Sequence, residues 1–240
     1  MIKKTILILI STLPIYIYAS EPLPKDGISG NFDLGLSFTK NSETTFQFNN
    51  LFLIKYQIRK SSFMLASNIA FINKSGEEKI LNKVVQDFKY ALNSRNLDLN
   101  FTINHMYDIS RSIKNRYSSG LGVSYNHINE ENKKIGIGIS ALREKENLLS
   151  GETKLQNRLS GDFDFMIKTG QNIIISSKSK YQPNIEEAGD FRWNTNLSLR
   201  ISINSHFLLS VKNTFNYDSM PEEGISRSDY QLINSISYTF

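Results

Sequence analysis

From Ile28 to Phe240 the chain alternates large apolar and polar residues with period two, broken only by short polar connections. Strict alternation over about ten residues is the pattern of a strand whose two faces meet different surroundings. The last stretch shows it most plainly. Tyr230, Leu232, Ile236, Tyr238 and Phe240 share one face; Gln231, Ser235, Ser237 and Thr239 share the other. Leu97, Leu99, Phe101 and Ile103 likewise oppose Asp98, Asn100, Thr102 and Asn104, and Trp193, Leu197, Leu199 and Ile201 oppose Asn194, Asn196, Ser198 and Arg200. The stretch from Glu78 to Leu92 is the least regular, with Asn82 and Gln86 on its apolar side. Read this way throughout, the sequence predicts about twelve antiparallel strands and no helix.

The predicted connections alternate in length. Lys60-Ser61, Asn93–Asn96, Gly170-Gln171 and Asn204-Ser205 are tight, and Asn129–Lys133 is slightly longer. Asn73–Glu77, Lys145–Glu152, Pro183–Gly189 and Ser219–Gly224 are mostly longer. Short turns at one end and longer loops at the other are the habit of a transmembrane up-and-down β-barrel, as is an even strand count. An even count places both termini at the short-turn, periplasmic end. The aromatic C-terminal strand, Tyr230 to Phe240, reads as the signal that barrel assembly machinery recognises.

The first residues belong to a different class. Lys3 and Lys4 precede an apolar run, Ile6 to Tyr18, and Ile17-Tyr18-Ala19 reads as a cleavage site. The expected organisation is a signal peptide over 1–19, a short periplasmic lead-in over 20–27 and a barrel over 28–240. Sec export to the outer membrane of a Gram-negative bacterium follows. The run is too short to span a bilayer as a helix, and no second long apolar run appears. A mean hydropathy of −0.32 agrees with a barrel, in which only alternate residues meet lipid.

The 240 residues contain no Cys, which excludes disulfides and thiolate chemistry. The formal charge of +5 falls to +3 without Lys3 and Lys4, too mild to suggest a nucleic-acid partner. The expected partners are outer-membrane lipid and lipopolysaccharide around a monomeric barrel.

Two alternatives have to be weighed. A soluble periplasmic β-barrel binding protein also alternates, but it turns its apolar face inward. Here the polar face carries many charges of both signs and the other face is uniformly large and apolar. A barrel enzyme of lipase or protease type needs a nucleophile, base and orienting group within hydrogen-bond reach. His105, His127 and His206 are scattered, and the spacing of His105 to Asp108 puts them on opposite faces. No catalytic residue, metal site or cofactor is therefore assigned. The acidic loop residues Glu77-Glu78, Glu186-Glu187 with Asp190, and Glu222-Glu223 read as solvated charge.

The inward face collects Lys55, Lys83, Lys89, Arg158, Lys168, Lys178, Lys180, Arg192, Arg200, Lys212 and Arg227 against Asp33, Asp87, Asp98, Glu144, Asp162, Asp164 and Asp229. Charges within a membrane wall need partners or water. Asp162 and Asp164 are expected to face Lys178 and Lys180 on the next strand. The basic excess predicts a narrow hydrated lumen with weak anion preference, or a lumen closed by its ion pairs.

Three stretches carry a family resemblance. They are Gly30-Asn31-Phe32-Asp33-Leu34-Gly35 with Asn41-Ser42-Glu43-Thr44-Thr45, then Tyr181-Gln182-Pro183 to Gly189-Asp190-Phe191-Arg192, and Phe215-Asn216-Tyr217-Asp218-Ser219-Met220-Pro221-Glu222-Glu223-Gly224. In order and spacing they resemble the salt-induced outer-membrane protein family, a domain of unknown function. Lys40-Asn41 departs from the Ser-Gly pair commoner in that family. The resemblance implies an outer-membrane location and a link to salt or envelope stress, and it supplies no catalytic residues. The barrel itself is read as a passive channel or an envelope-stabilising protein and not as an enzyme.

Overall fold

The structure, a computed structural model, describes residues 26–40, 44–74, 80–170 and 172–240. The expected signal peptide and lead-in, apart from Asp26 and Gly27, lie outside the described residues. So do Asn41-Ser42-Glu43 of the opening motif and Glu77-Glu78.

Twelve strands close into one barrel in chain order. They are β1 (Gly27–Lys40), β2 (Thr44–Ile58), β3 (Ser61–Lys74), β4 (Ile80–Ser94), β5 (Leu97–Asp108), β6 (Ile113–Asn129), β7 (Lys133–Leu148), β8 (Thr153–Thr169), β9 (Ile173–Pro183), β10 (Phe191–Ser202), β11 (Phe207–Asp218) and β12 (Ser228–Thr239). A 3-10 turn, Ile109–Arg111, joins β5 to β6. Every neighbouring pair is antiparallel, so the meander leaves no open edge. Among the described residues no helix is long and apolar enough to cross a membrane.

The two faces are inverted relative to a soluble barrel. Leu121 is 69% exposed and Ile139 61%, on the outer wall. Inside, Arg158 is 1% exposed and Glu144 5%. Hydrocarbon accepts such an outer wall, and closure satisfies the backbone groups that lipid cannot. Aromatic residues sit near the strand ends, as in the interfacial girdles of membrane barrels. Tyr56 stacks on Phe63 near the end that carries both termini, and Tyr181 and Tyr217 flank Phe191 near the other.

The barrel closes where β1 meets β12, with Phe32 opposite Tyr238 and Leu34 opposite Ile236. Beyond β12, the Gly30 amide donates to the Phe240 carbonyl at 2.9 Å, and the Phe240 amide donates back to Gly30 at 3.1 Å. A Cβ at position 30 would fall 2.6 Å from the Phe240 ring and 2.5 Å from the Leu53 carbonyl. Glycine is required there by close approach.

At the end that carries both termini, the turns Arg59-Lys60 and Arg95-Asn96 each hold two residues. Arg59 and Arg95 take φ of 50° and 52°, the left-handed geometry that two-residue hairpins demand. The far end carries the longer connections, 184–190 and 219–227 among them. One expected loop is not a loop: β7 continues through Lys145 to Leu148, and β6 begins at Ile113. Arg143-Glu144-Lys145-Glu146 keeps the period of two, with charges replacing apolar residues. The irregularity in β4 is a bulge. Lys83 lies opposite Ala70 and Leu81 opposite Phe71, which leaves Asn82 without a register partner.

Candidate functional site

The tall strands β6, β7 and β8 raise a wall of charged side chains at the far end of the lumen. On β7 the period of two sends both Glu144 and Glu146 inward. Arg116 enters from β6 and Arg158 from β8, while Arg192 reaches over from β10. The Arg192 guanidinium donates to Glu144 at 2.6 Å and lies 3.3 Å from both Glu146 and Asp218. Arg116 donates to Glu146 and stands 3.7 Å from Glu144. Arg158 donates to Asp190 at 2.6 Å, to the Gln182 carbonyl at 3.1 Å and to the Gln156 side chain at 2.9 Å. Its Nε stays 3.7 Å from Glu144 without a hydrogen bond.

Two contacts cross the mouth. Arg111, from the turn between β5 and β6, lies 3.6 Å from Asp218 at the end of β11. Lys154 at the start of β8 pairs with Glu222 in the β11–β12 connection. Together the guanidinium groups of Arg111, Arg116, Arg158 and Arg192 meet the carboxylates of Glu144, Glu146, Asp190 and Asp218 in a charge-balanced network. The gap left among them is about 30 Å³, room for a water or two.

Nearer the termini the lumen changes character. Its carboxylates are pinned to the wall by amides. Asn104 donates to Asp87 at 2.7 Å, Asn126 to Asp98 at 2.9 Å, and Asn31 to Asp33 at 2.9 Å. The longer basic side chains reach inward. Lys89 shares this space with Lys178, Asp98, Asp162 and Asp164. Lys55 lies within electrostatic range of Lys134 and Asp98, and Lys212 within range of Asp33, Arg200 and Lys83.

Cross-strand register puts Asp162 opposite Lys180, their charged atoms 3.7 Å apart, and Asp164 opposite Lys178. Asp229 accepts a hydrogen bond from Asn216 at 3.2 Å, on the inner face. Arg200 and Lys212 flank Ser198 on that face. Arg227 departs from expectation: it lies exposed in the β11–β12 connection, where Asp218 binds its backbone, because β12 starts only at Ser228. Asp190 departs too. It is 4% exposed and bound by Arg158 and Asn184, so it is a buried lumen group rather than solvated loop charge. Glu222 is likewise engaged by Lys154.

Sequence reasoning missed Arg111, Arg116, Glu146 and Asp218. Extending the alternation of β7 past Ala141 would have found Glu146. Nothing local marks Arg111 or Asp218, whose meeting depends on barrel closure. Asp108 faces inward, 3.2 Å from Lys83. His105 faces outward, stacked on Tyr117 with ring centres 4.7 Å apart and bonded to Gln86 and Asn115 at 3.1 Å each. His105 and Asp108 thus occupy opposite sides of the wall. Tyr230, Leu232, Ile236, Tyr238 and Phe240 all lie on the outer wall, exposed.

The architecture is similar to that of a NanC porin, at 8% identity and a TM-score of 0.50, covering 89% of this chain and 98% of that one. It is also similar to an outer membrane channel from Pseudomonas putida F1, at 11% identity and a TM-score of 0.54, covering 94% and 100%. Identities this low establish a shared fold. The sequence profile of a family described as "Protein of unknown function, DUF481" matches residues 32–240. No curated protein matches the sequence.

Proposed function

The chain belongs to the family described as protein of unknown function DUF481, and from that premise we propose that it is a narrow, weakly anion-preferring channel of the bacterial outer membrane. The apolar outer wall and the closed, edgeless barrel support membrane residence. The observation that carries the channel reading is the division of labour along the lumen. The network at the far end is balanced in charge, so it narrows the path without choosing a sign. The sign is chosen nearer the termini, where Lys55, Lys89, Lys134, Lys178, Arg200 and Lys212 form no ion pair among the described residues. A basic wall of low dielectric raises the local anion concentration. In biogenesis the partner is the barrel assembly machinery, reading Tyr230 to Phe240; the folded protein works as a monomer.

The test compares chloride efflux from vesicles holding the wild type with efflux from vesicles holding the double variant Lys178→Glu, Lys180→Glu. Slower efflux in the variant supports the reading. Equal efflux contradicts it.

A second reading has one observation in its favour: the Arg111–Asp218 contact spans the mouth. A barrel sealed by such pairs stabilises the envelope without conducting. A role in salt or envelope stress fits either reading. Ionic strength weakens the Lys154–Glu222 pair at the rim before it weakens the buried pairs.

A further inference from the structure

We propose that the outer wall carries a binding groove for the phosphorylated headgroup of an outer-leaflet lipid, built on Arg143 and Lys145. The inference rests on the membrane reading above. Along the outward face of β7, Ile135, Ile137, Ile139 and Ala141 form an unbroken apolar run. The next two outward positions, toward the loop end, are Arg143 and Lys145. The same boundary appears on β6, where Leu121 gives way to Ser119 and Tyr117. The two cations therefore sit where the hydrocarbon ends and headgroups begin.

Neither cation has an ionic partner among the described residues. Arg143 is held in place by donating to the Asn157 side chain at 2.8 Å. Asn157 in turn donates to Glu186, so that carboxylate is engaged on the far side of the amide. Unpaired charges in a membrane wall are costly. Two adjacent ones at headgroup depth recruit an anion, and a phosphate offers oxygens that an arginine can grip with two parallel hydrogen bonds. The surrounding shape suits a lipid rather than a free ion. Arg143, Lys145, Tyr117, Ser118, Ser119, Ile103 and Leu155 line an open groove of about 220 Å³, together with Glu144, whose carboxylate is engaged by Arg192 and Arg116. Ile103 and Leu155 are exposed apolar residues on which an acyl chain can lie. Tyr117 is fixed by its stacking on His105.

Site-specific fluorescence quenching tests this. In a Trp193→Phe background, a single tryptophan is introduced as Leu155→Trp in the groove, or as Leu232→Trp on β12, four strands away. Ile103→Trp serves as a second groove reporter should Leu155→Trp fail to fold. The protein is refolded into phosphatidylcholine vesicles containing brominated phosphatidylcholine or brominated phosphatidic acid. The groove reporter should be quenched with a preference on the order of tenfold for phosphatidic acid, the scale that two basic groups at an anionic surface supply. Leu232→Trp should show no preference. Arg143→Gln with Lys145→Gln should abolish the preference, and excess inorganic phosphate should leave it intact. Equal preference at both positions, survival of the preference in the double variant, or its loss to inorganic phosphate would each overturn the site. Absence of quenching by either lipid at either position has a different meaning: the membrane reading itself fails, and the site with it.

Discussion

Arg111 and Asp218 lie 3.6 Å apart although they leave strands on nearly opposite sides of a twelve-stranded ring. Such a contact fixes the open width at that level to the reach of two side chains. Asp218 also binds Arg192 at 3.3 Å, which ties the crossing contact into the network on β6 to β8. Constriction is thus a property of the mouth, and in the proposed channel charge selection belongs to the lumen behind it.

Loosening the crossing contact should widen the path. Asp218→Asn keeps the size of the side chain and removes its charge. Single-channel conductance should rise severalfold, with anion preference slightly strengthened because Arg111 and Arg192 lose a counter-charge. An unchanged conductance would mean that the narrowest point lies elsewhere.

Among the described residues Arg158 is the least exposed cation, with its partner Asp190 buried beside it. Asp190→Ala removes the carboxylate that Arg158 hydrogen-bonds, leaving only Glu144 at 3.7 Å, and should cost about 3–5 kcal/mol in urea unfolding. Replacing both members with apolar residues should cost much less. If the single and double variants are equally destabilised, the loss is one of packing and not of charge.

The two faces of β10 make opposite predictions. Leu199 is on the outer wall and Asn196 within the lumen, bonded to Thr214 at 2.8 Å. Leu199→Arg should cost about 2–4 kcal/mol if the residue lies near the bilayer midplane. Asn196→Arg should cost far less. Similar costs would show that the facing of the strand is misassigned.

Closure depends on Phe240 and Gly30. Removing Phe240 deletes the two backbone bonds to Gly30 and the ring packed over it. Heat-modifiable mobility, the sign of a folded barrel, should fall sharply in that variant and in Gly30→Val. Deleting Pro24 should leave it unchanged. Normal mobility after loss of Phe240 would remove the C-terminal strand from its assembly role.

The strands and their facing were legible because a two-sided wall imposes its period on nearly every residue. Leu199 and Asn196 declare their sides from neighbours alone. Even the pairing of Asp162 with Lys180 could be read, since adjacent strands in a meander must oppose each other. The constriction was not legible. Arg111 meets Asp218, and Lys154 meets Glu222, only after the ring closes, and no local pattern records contacts made across a lumen. Asp190 looked like loop charge because its burial is supplied by Arg158, 32 residues away in sequence. The extent of β7 was missed for another reason: Arg143 to Glu146 is all charge, and a run of charge imitates a loop although its alternation never stops.

The measurement that bears most directly on the account is the reversal potential of the wild-type protein in a planar bilayer under a salt gradient. A small conductance with a reversal potential on the anion-selective side is expected, diminished by Lys178→Glu with Lys180→Glu. A reversal potential of the opposite sign, or no conductance even in Asp218→Asn, would contradict it.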